Sequence, residues 1–295
     1  VTNNHITPCL WFDGTAEQAA NLYVSLFKDA SIGKISRYGK EGFEHHRQQE
    51  GTAMVVPFTL EGVHFSALNG GSMFKINPSI SIFVVCPTGA ETQALWDKLI
   101  EGGEAMMPIG TYDWSPCYGW LRDRFGMTWQ LMASTDDNQK LSVRPSFLFT
   151  GPAFGKAEDA IRYYSSVFPD SATGVLIPYP EGDPNAGKVL YSEFTLAKNG
   201  FIAMDGPGEH GYTFNEAVSL QVFCDTQQEI DYYWQKLTDG GEESMCGWLK
   251  DPFGVSWQVI PAELGNWMSD PEKGPRVMRA LLQMRKFNID SLKNA

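Results

Sequence analysis

The sequence predicts an α+β protein made of two tandem domains, each of paired βαβββ modules forming a curled, cup-like mixed sheet, followed by a C-terminal amphipathic helix. Two observations predict it. The phrase W-L-[RK]-D-x-F-G-x-[TS]-W-Q occurs twice, from Trp120 and again from Trp248, and the segments before each copy echo one another in the same order. Within each half, strand-like runs with period-two alternation bracket two helical runs.

The first half opens with HITPCLWF, a strand, and TAEQAANLYVSLF, an amphipathic helix. KISRY, TAMVVPFTL and VHFSAL follow as strands, and then SISIFVVC is again a strand and AETQALWDKLIEGG again a helix, ended by glycine. CYGWLRD and TWQLM complete the set. The echoes in the second half include FTGPAFGKAEDAIRYYSSVFPDSA, EFTLAKNGFIAMDGPG, YTFNEAVSLQVFC and YWQKLTDGGEESM. A period this long indicates duplicated domains and not a solenoid. The expected boundaries are 1–135 for the first domain, 136–142 for a polar linker, 143–262 for the second domain, and 263–295 for a linker and C-terminal helix. In that tail Val277, Leu281 and Met284 fall at helical spacing with basic residues between, which suits docking onto the sheets or onto a partner subunit in a homodimer.

One segment breaks the symmetry. Before its copy of the shared tryptophan the first half inserts PIGTYDWSPCYG, where the second half closes through MCGW. The insertion carries Tyr112, Trp114 and Tyr118 and reads equally as an aromatic-capped surface loop or as a lid over a pocket.

Composition narrows the function classes. With 295 residues, 43% of them hydrophobic and 13% aromatic, the chain can build real cores. A net charge of −12 repels phosphate backbones and anionic membranes, so neither nucleic acid nor a membrane is an expected partner. No apolar run reaches the roughly 20 residues of a membrane span, and the five cysteines form no CxxC or disulfide framework. A cytoplasmic, reducing location is expected.

Polar residues repeated in both halves are the candidates for lining a ligand pocket: Asn69 and Asp205, Asn77 and Asn215, Ser81 and Ser219, Gln130 and Gln258. Trp120 and Trp248, with Trp114 from the insertion, are candidate aromatic walls. The alternative is that the asparagines cap turns and the tryptophans are core. Cys246 is a further pocket candidate; like Cys117 it precedes the shared tryptophan, and neither has a histidine near it in sequence to activate a thiolate. The D-x-F-G of each phrase reads as an architectural turn: Asp123 and Asp251 initiate it, Gly126 and Gly254 supply permissive dihedrals, and Phe125 and Phe253 plug the core.

Together the FDG helix start, the ALNGG strand end and the terminal D-x-F-G-x-x-W-Q strand resemble the vicinal oxygen chelate superfamily, in its PhnB-like branch, often labelled 3-demethylubiquinone 3-methyltransferase-like. That resemblance implies a sheet cup around a small ligand, and in metal-using members His or Glu ligands on inward strand positions. Here those positions fall near Thr7, Phe58, Ile80 and Gln130, and near Ser146, Phe194, Val218 and Gln258. Glutamine stands where a metal enzyme carries glutamate, so no metal and no other cofactor is expected. Three other readings stay open. One is a metal-dependent lyase, isomerase or dioxygenase using His5, His64, Glu193 and Gln258. Another is the methyltransferase of the family label, for which no GxGxG turn follows a strand. The last is a sequestering or dimerisation scaffold.

Overall fold

The computed structural model describes residues 6–136 and 138–295, and of His45 only the main chain. Four βαβββ modules follow one another along the chain. The first contains β1 (Ile6–Phe12), α1 (Ala16–Leu26), β2 (Ala30–Ile32), β3 (Ser36–Arg37), the short α2 (Phe43–His46), β4 (Ala53–Leu60) and β5 (Val63–Asn69). The second contains β6 (Ile80–Cys86), α3 (Gly89–Leu99), β7 (Glu104–Tyr112), β8 (Ser115–Arg122) and β9 (Thr128–Ala133). β10 (Ser142–Phe149), α4 (Ala157–Val167), β11 (Ala172–Pro178), β12 (Val189–Leu196) and β13 (Asn199–Asp205) make the third. The fourth is β14 (Val218–Cys224), α5 (Gln227–Thr238), β15 (Glu242–Glu243), β16 (Trp248–Lys250) and β17 (Ser256–Pro261), and the tail adds α6 (Leu264–Ser269), α7 (Gly274–Leu281) and α8 (Ile289–Lys293).

In every module the first strand lies parallel to the last, as in β1 with β5 and β6 with β9. The modules then join edge to edge through their first strands, and the joining crosses the two halves. β1 of the first module pairs antiparallel with β14 of the fourth, and β6 of the second with β10 of the third. Sheet A therefore runs β15-β16-β17-β14-β1-β5-β4-β2, with β3 beside β4, and sheet B runs β11-β12-β13-β10-β6-β9-β8-β7. The α+β class, the four modules and the two cups are as the sequence predicts. The sequence repeats, however, are not the sheet-forming units: each cup takes one module from either side of residues 136–142.

Helix starts are capped in two ways. Thr88 and Thr226 accept from the main chain of Glu91 and Glu229 at the starts of α3 and α5, the second as a full capping box. α1 and α4 lack such a residue, and the end of a strand supplies the cap. Asn69 Oδ1 accepts from Ala16 N, and Asp205 Oδ1 accepts from Gly155 N and Ala157 N. These bonds fix each helix against its own sheet.

The D-x-F-G turns are architectural, as expected, and they do more than turn the chain. Asp123 accepts four hydrogen bonds, from Phe125 N, Met127 N, Trp129 Nε1 and Tyr23 Oη. Asp251 repeats the set with Phe253 N, Val255 N, Trp257 Nε1 and Tyr164 Oη. Tyr23 sits on α1, over sheet A, whereas Asp123 follows β8 of sheet B. The tyrosine–aspartate bond thus ties the two sheets together through the core between them, where Trp129 and Trp257 are fully buried. Gly126 and Gly254 hold φ of 91° and 87°, a left-handed region that a side chain would strain.

Two segments differ from expectation. PIGTYDWSPCYG is no loop: it is the end of a long β7–β8 hairpin, in which Glu104 to Tyr112 pair back, with register shifts, onto Ser115 to Arg122 across a tight turn. The tail is three short helices and not one, with α7 ending at Leu281. It fills the place that the shortened β15–β16 hairpin leaves. Cys246 N and Gly247 N donate to Met284 O and Arg285 O, and Phe287 lies against Gly247, where a Cβ would come within 2.6 Å of its ring. Between β3 and β4 the chain makes the single turn of α2, where His46 lies against Tyr38 with ring centres 4.3 Å apart. No helix among the described residues is long and apolar enough to cross a membrane.

Burial raises the Asp251 carboxyl from 3.8 to about 6, despite its four donors, and raises Asp123 in the same direction. Between these values the folded chain holds a proton that the unfolded chain has released, so the contribution is fully present below about pH 4 and lost as pH rises through about 6. Its size is on the order of 3 kcal/mol. Chemical denaturation of the native chain and Asp251→Asn across pH 4–7 should show this slope in the native chain and its loss in the variant.

Candidate ligand-binding site

Alternation along the strands decides which side chains face each cup. On β6 and β9, Ile82, Val84, Trp129 and Leu131 turn to the helical core, leaving Ser81, Phe83, Val85, Gln130 and Met132 on the other face. The cup of sheet B is walled by Phe83, Val85, Tyr118 and Ile202, with Met107, Trp120, Met132, Tyr191 and Met204 packed around them. Its floor is polar and buried. Ser81 and Ser146 stand directly opposite one another where β6 meets β10, each about 1% exposed. Gln130 Nε2 donates to Ser81 Oγ at 2.7 Å, and Tyr118 Oη donates to Gln130 Oε1 at 2.8 Å. Burial pushes the Tyr118 hydroxyl far up its range, so it stays a protonated donor.

Beside this trio lies a charged one. Arg144 Nη1 meets Glu193 Oε2 at 2.6 Å, and Tyr191 Oη donates to Glu193 Oε1 at 2.7 Å. Ile202 pairs with both Ser146 and Glu193, so the two networks share neighbouring rows of one floor. Tyr112, Trp114 and Tyr118 form an aromatic cluster with ring centres 5.0–5.6 Å apart at the hairpin end, and Trp114 is 57% exposed.

The cup of sheet A repeats the neutral trio and lacks the charged one. Cys9 stands opposite Ser219, as Ser146 stands opposite Ser81, and Gln258 Nε2 donates to Ser219 Oγ at 2.8 Å. Gln221 Nε2 reaches Gln258 Oε1 at 3.2 Å. In the aligned repeat Thr7 occupies the place of Arg144, Pro57 that of Glu193 and Val55 that of Tyr191. Trp248 packs edge-on to Trp11, with ring centres 5.9 Å apart. The tail reaches both walls of this cup, through Cys246 and Gly247 on one side and Glu41 and Gly42, near Arg279 and Leu282, on the other.

Of the residues singled out in the sequence, Ser81, Trp120 and Gln130 come together in cup B, and Ser219, Trp248 and Gln258 in cup A. Asn69 and Asp205 are helix caps outside the cups. Asn77 and Asn215 brace the two halves, donating to Thr213 O and Lys75 O. Trp114 is at the hairpin tip. Cys246 faces the tail, and burial raises its thiol above the ordinary range, against a nucleophilic role.

Of the eight positions expected to carry metal ligands, Gln130, Gln258 and Ser146 lie in the cups and the other five do not hold their places. Phe58, Ile80, Phe194 and Val218 face the core, and Cys9 replaces Thr7 as the partner of Ser219. Glu193 lies in sheet B, whereas His64 and Gln258 lie in sheet A, so the set with His5 does not assemble as one site; His5 itself is outside the described residues. His46 and His210 bond to nearby main chain, and no group of three His, Cys, Asp or Glu suited to a metal occurs among the described residues. Glu193 is one carboxylate, already paired with Arg144, and both glutamine amides are committed to serine. This donor set does not fit a divalent ion held by the chain.

Tyr118, expected in a surface loop or lid, lies instead on β8 against Gln130, while Arg144 and Tyr191 have no counterpart in the other half and so are not marked by repetition. The signal that could have found them is divergence at matched positions.

Replacing Gln130 by Leu should cost about 2–3 kcal/mol, since it strands the Ser81 and Tyr118 hydroxyls in the interior. Adding Tyr118→Phe should cost less than the sum of the two single changes, as read from urea unfolding of the double-mutant cycle.

A family model described as 3-demethylubiquinone-9 3-methyltransferase matches residues 4–132 and again 142–260. A putative 3-demethylubiquinone-9 3-methyltransferase, PhnB protein, from Bacillus cereus is 38% identical over 44% of this chain and 98% of its own, with a TM-score of 0.41. Glyoxalase I from Zea mays is 10% identical and covers 88% of this chain and 91% of its own, at a TM-score of 0.51. A putative dioxygenase from Bacillus subtilis is 11% identical, covering 93% and 88%, at 0.50. The last two show the shared fold alone. No curated protein matches the chain.

Proposed function

The chain belongs to the family whose model is described as 3-demethylubiquinone-9 3-methyltransferase, a PhnB-like branch of the glyoxalase-type fold, and from that premise we propose that it binds a small molecule in cup B without a conventional metal site. The observation that carries this reading is the floor of that cup. A buried, hydrogen-bonded row of Ser81, Gln130 and Tyr118 lies beside the Arg144–Glu193–Tyr191 cluster, under apolar and aromatic walls. Few, convergent polar groups in an apolar concavity are the usual make-up of a small-ligand site.

The family's description names methyl transfer, which needs a methyl donor such as S-adenosylmethionine. The turn that cradles it in doubly wound sheets joins a strand to a helix. Here Gly206, Gly208 and Gly211 have the spacing of a nucleotide-binding turn and follow β13, yet the chain continues to strand β14 and not to a helix. The residues do not fit that mode.

Two outcomes test the proposal. Crystals soaked with a fragment library should show bound molecules in cup B, against Phe83 and Tyr191; occupancy confined to cup A contradicts it. Protein purified without chelator and offered excess zinc, nickel, manganese or iron should retain well below one equivalent per chain after desalting. One tight equivalent that Glu193→Gln abolishes would overturn the metal-free part.

A further inference from the structure

The two cups differ most in the hydrogen-bonding capacity they leave unused. Facing cup B, Trp120 Nε1 and the hydroxyls of Thr128, Ser142 and Ser146 are buried without a partner, as is Arg122 Nε on β8. Two of these five groups can only donate, and the other three can donate by rotating. Arg144 lies between Ser142 and Ser146 on the same face of β10; its side chain crosses Gly200 to reach Glu193 through Nη1, and its guanidinium carries further N–H donors. Both acceptors of the floor are taken: Gln130 Oε1 by Tyr118, and Glu193 by Arg144 and Tyr191. Cup A inverts this balance, because its unpartnered buried atoms are Gln221 Oε1, which can only accept, and the Ser256 hydroxyl.

An excess of buried donors is costly unless a ligand or water supplies acceptors. We infer that cup B takes a small organic carboxylate with an apolar body, its oxygens held by the Arg144 guanidinium together with Ser146 Oγ on the same strand, and its body against Phe83, Ile202 and Met132. This rests on the reading of cup B as the binding cup. Arg144 is the fixed positive charge of the site, and Glu193 orients it while lowering its pull on an anion. Met107, Met132 and Met204 border the floor, and such unbranched side chains re-pack readily to admit a ligand. A bare oxyanion would satisfy the guanidinium and leave the apolar wall unused.

Calorimetric titration of the full chain with benzoate, benzamide and inorganic phosphate separates these ideas. Benzoate should bind at least about tenfold more tightly than benzamide or phosphate, the range a charge-assisted bond supplies. Arg144→Gln should remove that preference, and Arg144→Lys should keep only part of it. Glu193→Gln should strengthen benzoate binding several-fold, which loss of a merely structural ion pair would not do. Gln221→Leu, in cup A, should leave it unchanged, and thermal unfolding checks that each variant is folded. If benzamide binds as well as benzoate, or Arg144→Gln retains the preference, the carboxylate assignment falls while binding in cup B stands. Phosphate binding as tightly as benzoate would likewise overturn it in favour of a bare oxyanion site. If none of the three binds up to about 10 mM, a Kd range worth under 3 kcal/mol, the carboxylate assignment falls, and the fragment soak separately decides whether cup B binds at all.

Discussion

Two buried carboxylates hold this architecture together. Asp123 and Asp251 each gather two main-chain amides, an indole N–H and a tyrosine hydroxyl. The indole belongs to the last strand of one module, and the tyrosine to the first helix of the other module in the same half. Because those two modules contribute to different sheets, each clamp joins sheet A to sheet B through the helical core. The halves are therefore interlaced: within a half the modules meet back to back, and between halves they meet edge to edge. The face of each sheet opposite the helical core, with its row of serine and glutamine, is then turned away from the other sheet.

The repeat, the four modules and the architectural turn were legible in the sequence because they are written twice in periodic apolar patterns. The partner of each first strand was not. HITPCLWF and SVRPSFLF carry the same alternation, as do SISIFVVC and VSLQVFC, so pattern alone offers β6 two equivalent neighbours, β1 and β10. The hairpin in PIGTYDWSPCYG was hidden for a related reason: its glycine, proline and serine content signals a loop, while long-range pairing in an edge position overrides it.

For the site, repetition proved a guide to architecture first. Asn69, Asp205, Asn77 and Asn215 recur because helix starts and the joint between halves need them, and only Ser81, Gln130 and their counterparts recur within the cups. The residues that give cup B its charge, Arg144, Tyr191 and Glu193, face Thr7, Val55 and Pro57 across the repeat. A duplicated domain keeps its scaffold in common and can vary one pocket without disturbing the other. The C-terminal tail adds to the asymmetry, since it seals the gap that the short β15–β16 hairpin leaves beside cup A, while the long β7–β8 hairpin does that work beside cup B.

The central claim, that each cup is shared between halves, is open to a direct chemical measurement on the whole chain. Positions 81 and 146 are cross-strand neighbours here, and antiparallel partners lie about 4.5–5.5 Å apart at Cα, within reach of a disulfide. Were the modules of one half paired with each other, position 81 would instead face Cys9, the counterpart of Ser146. With Ser81→Cys and Ser146→Cys combined, mild oxidation followed by peptide mass mapping should find a bridge between positions 81 and 146, linking the two halves. A bridge from position 81 to Cys9 would contradict the interlaced fold and the cup built on it.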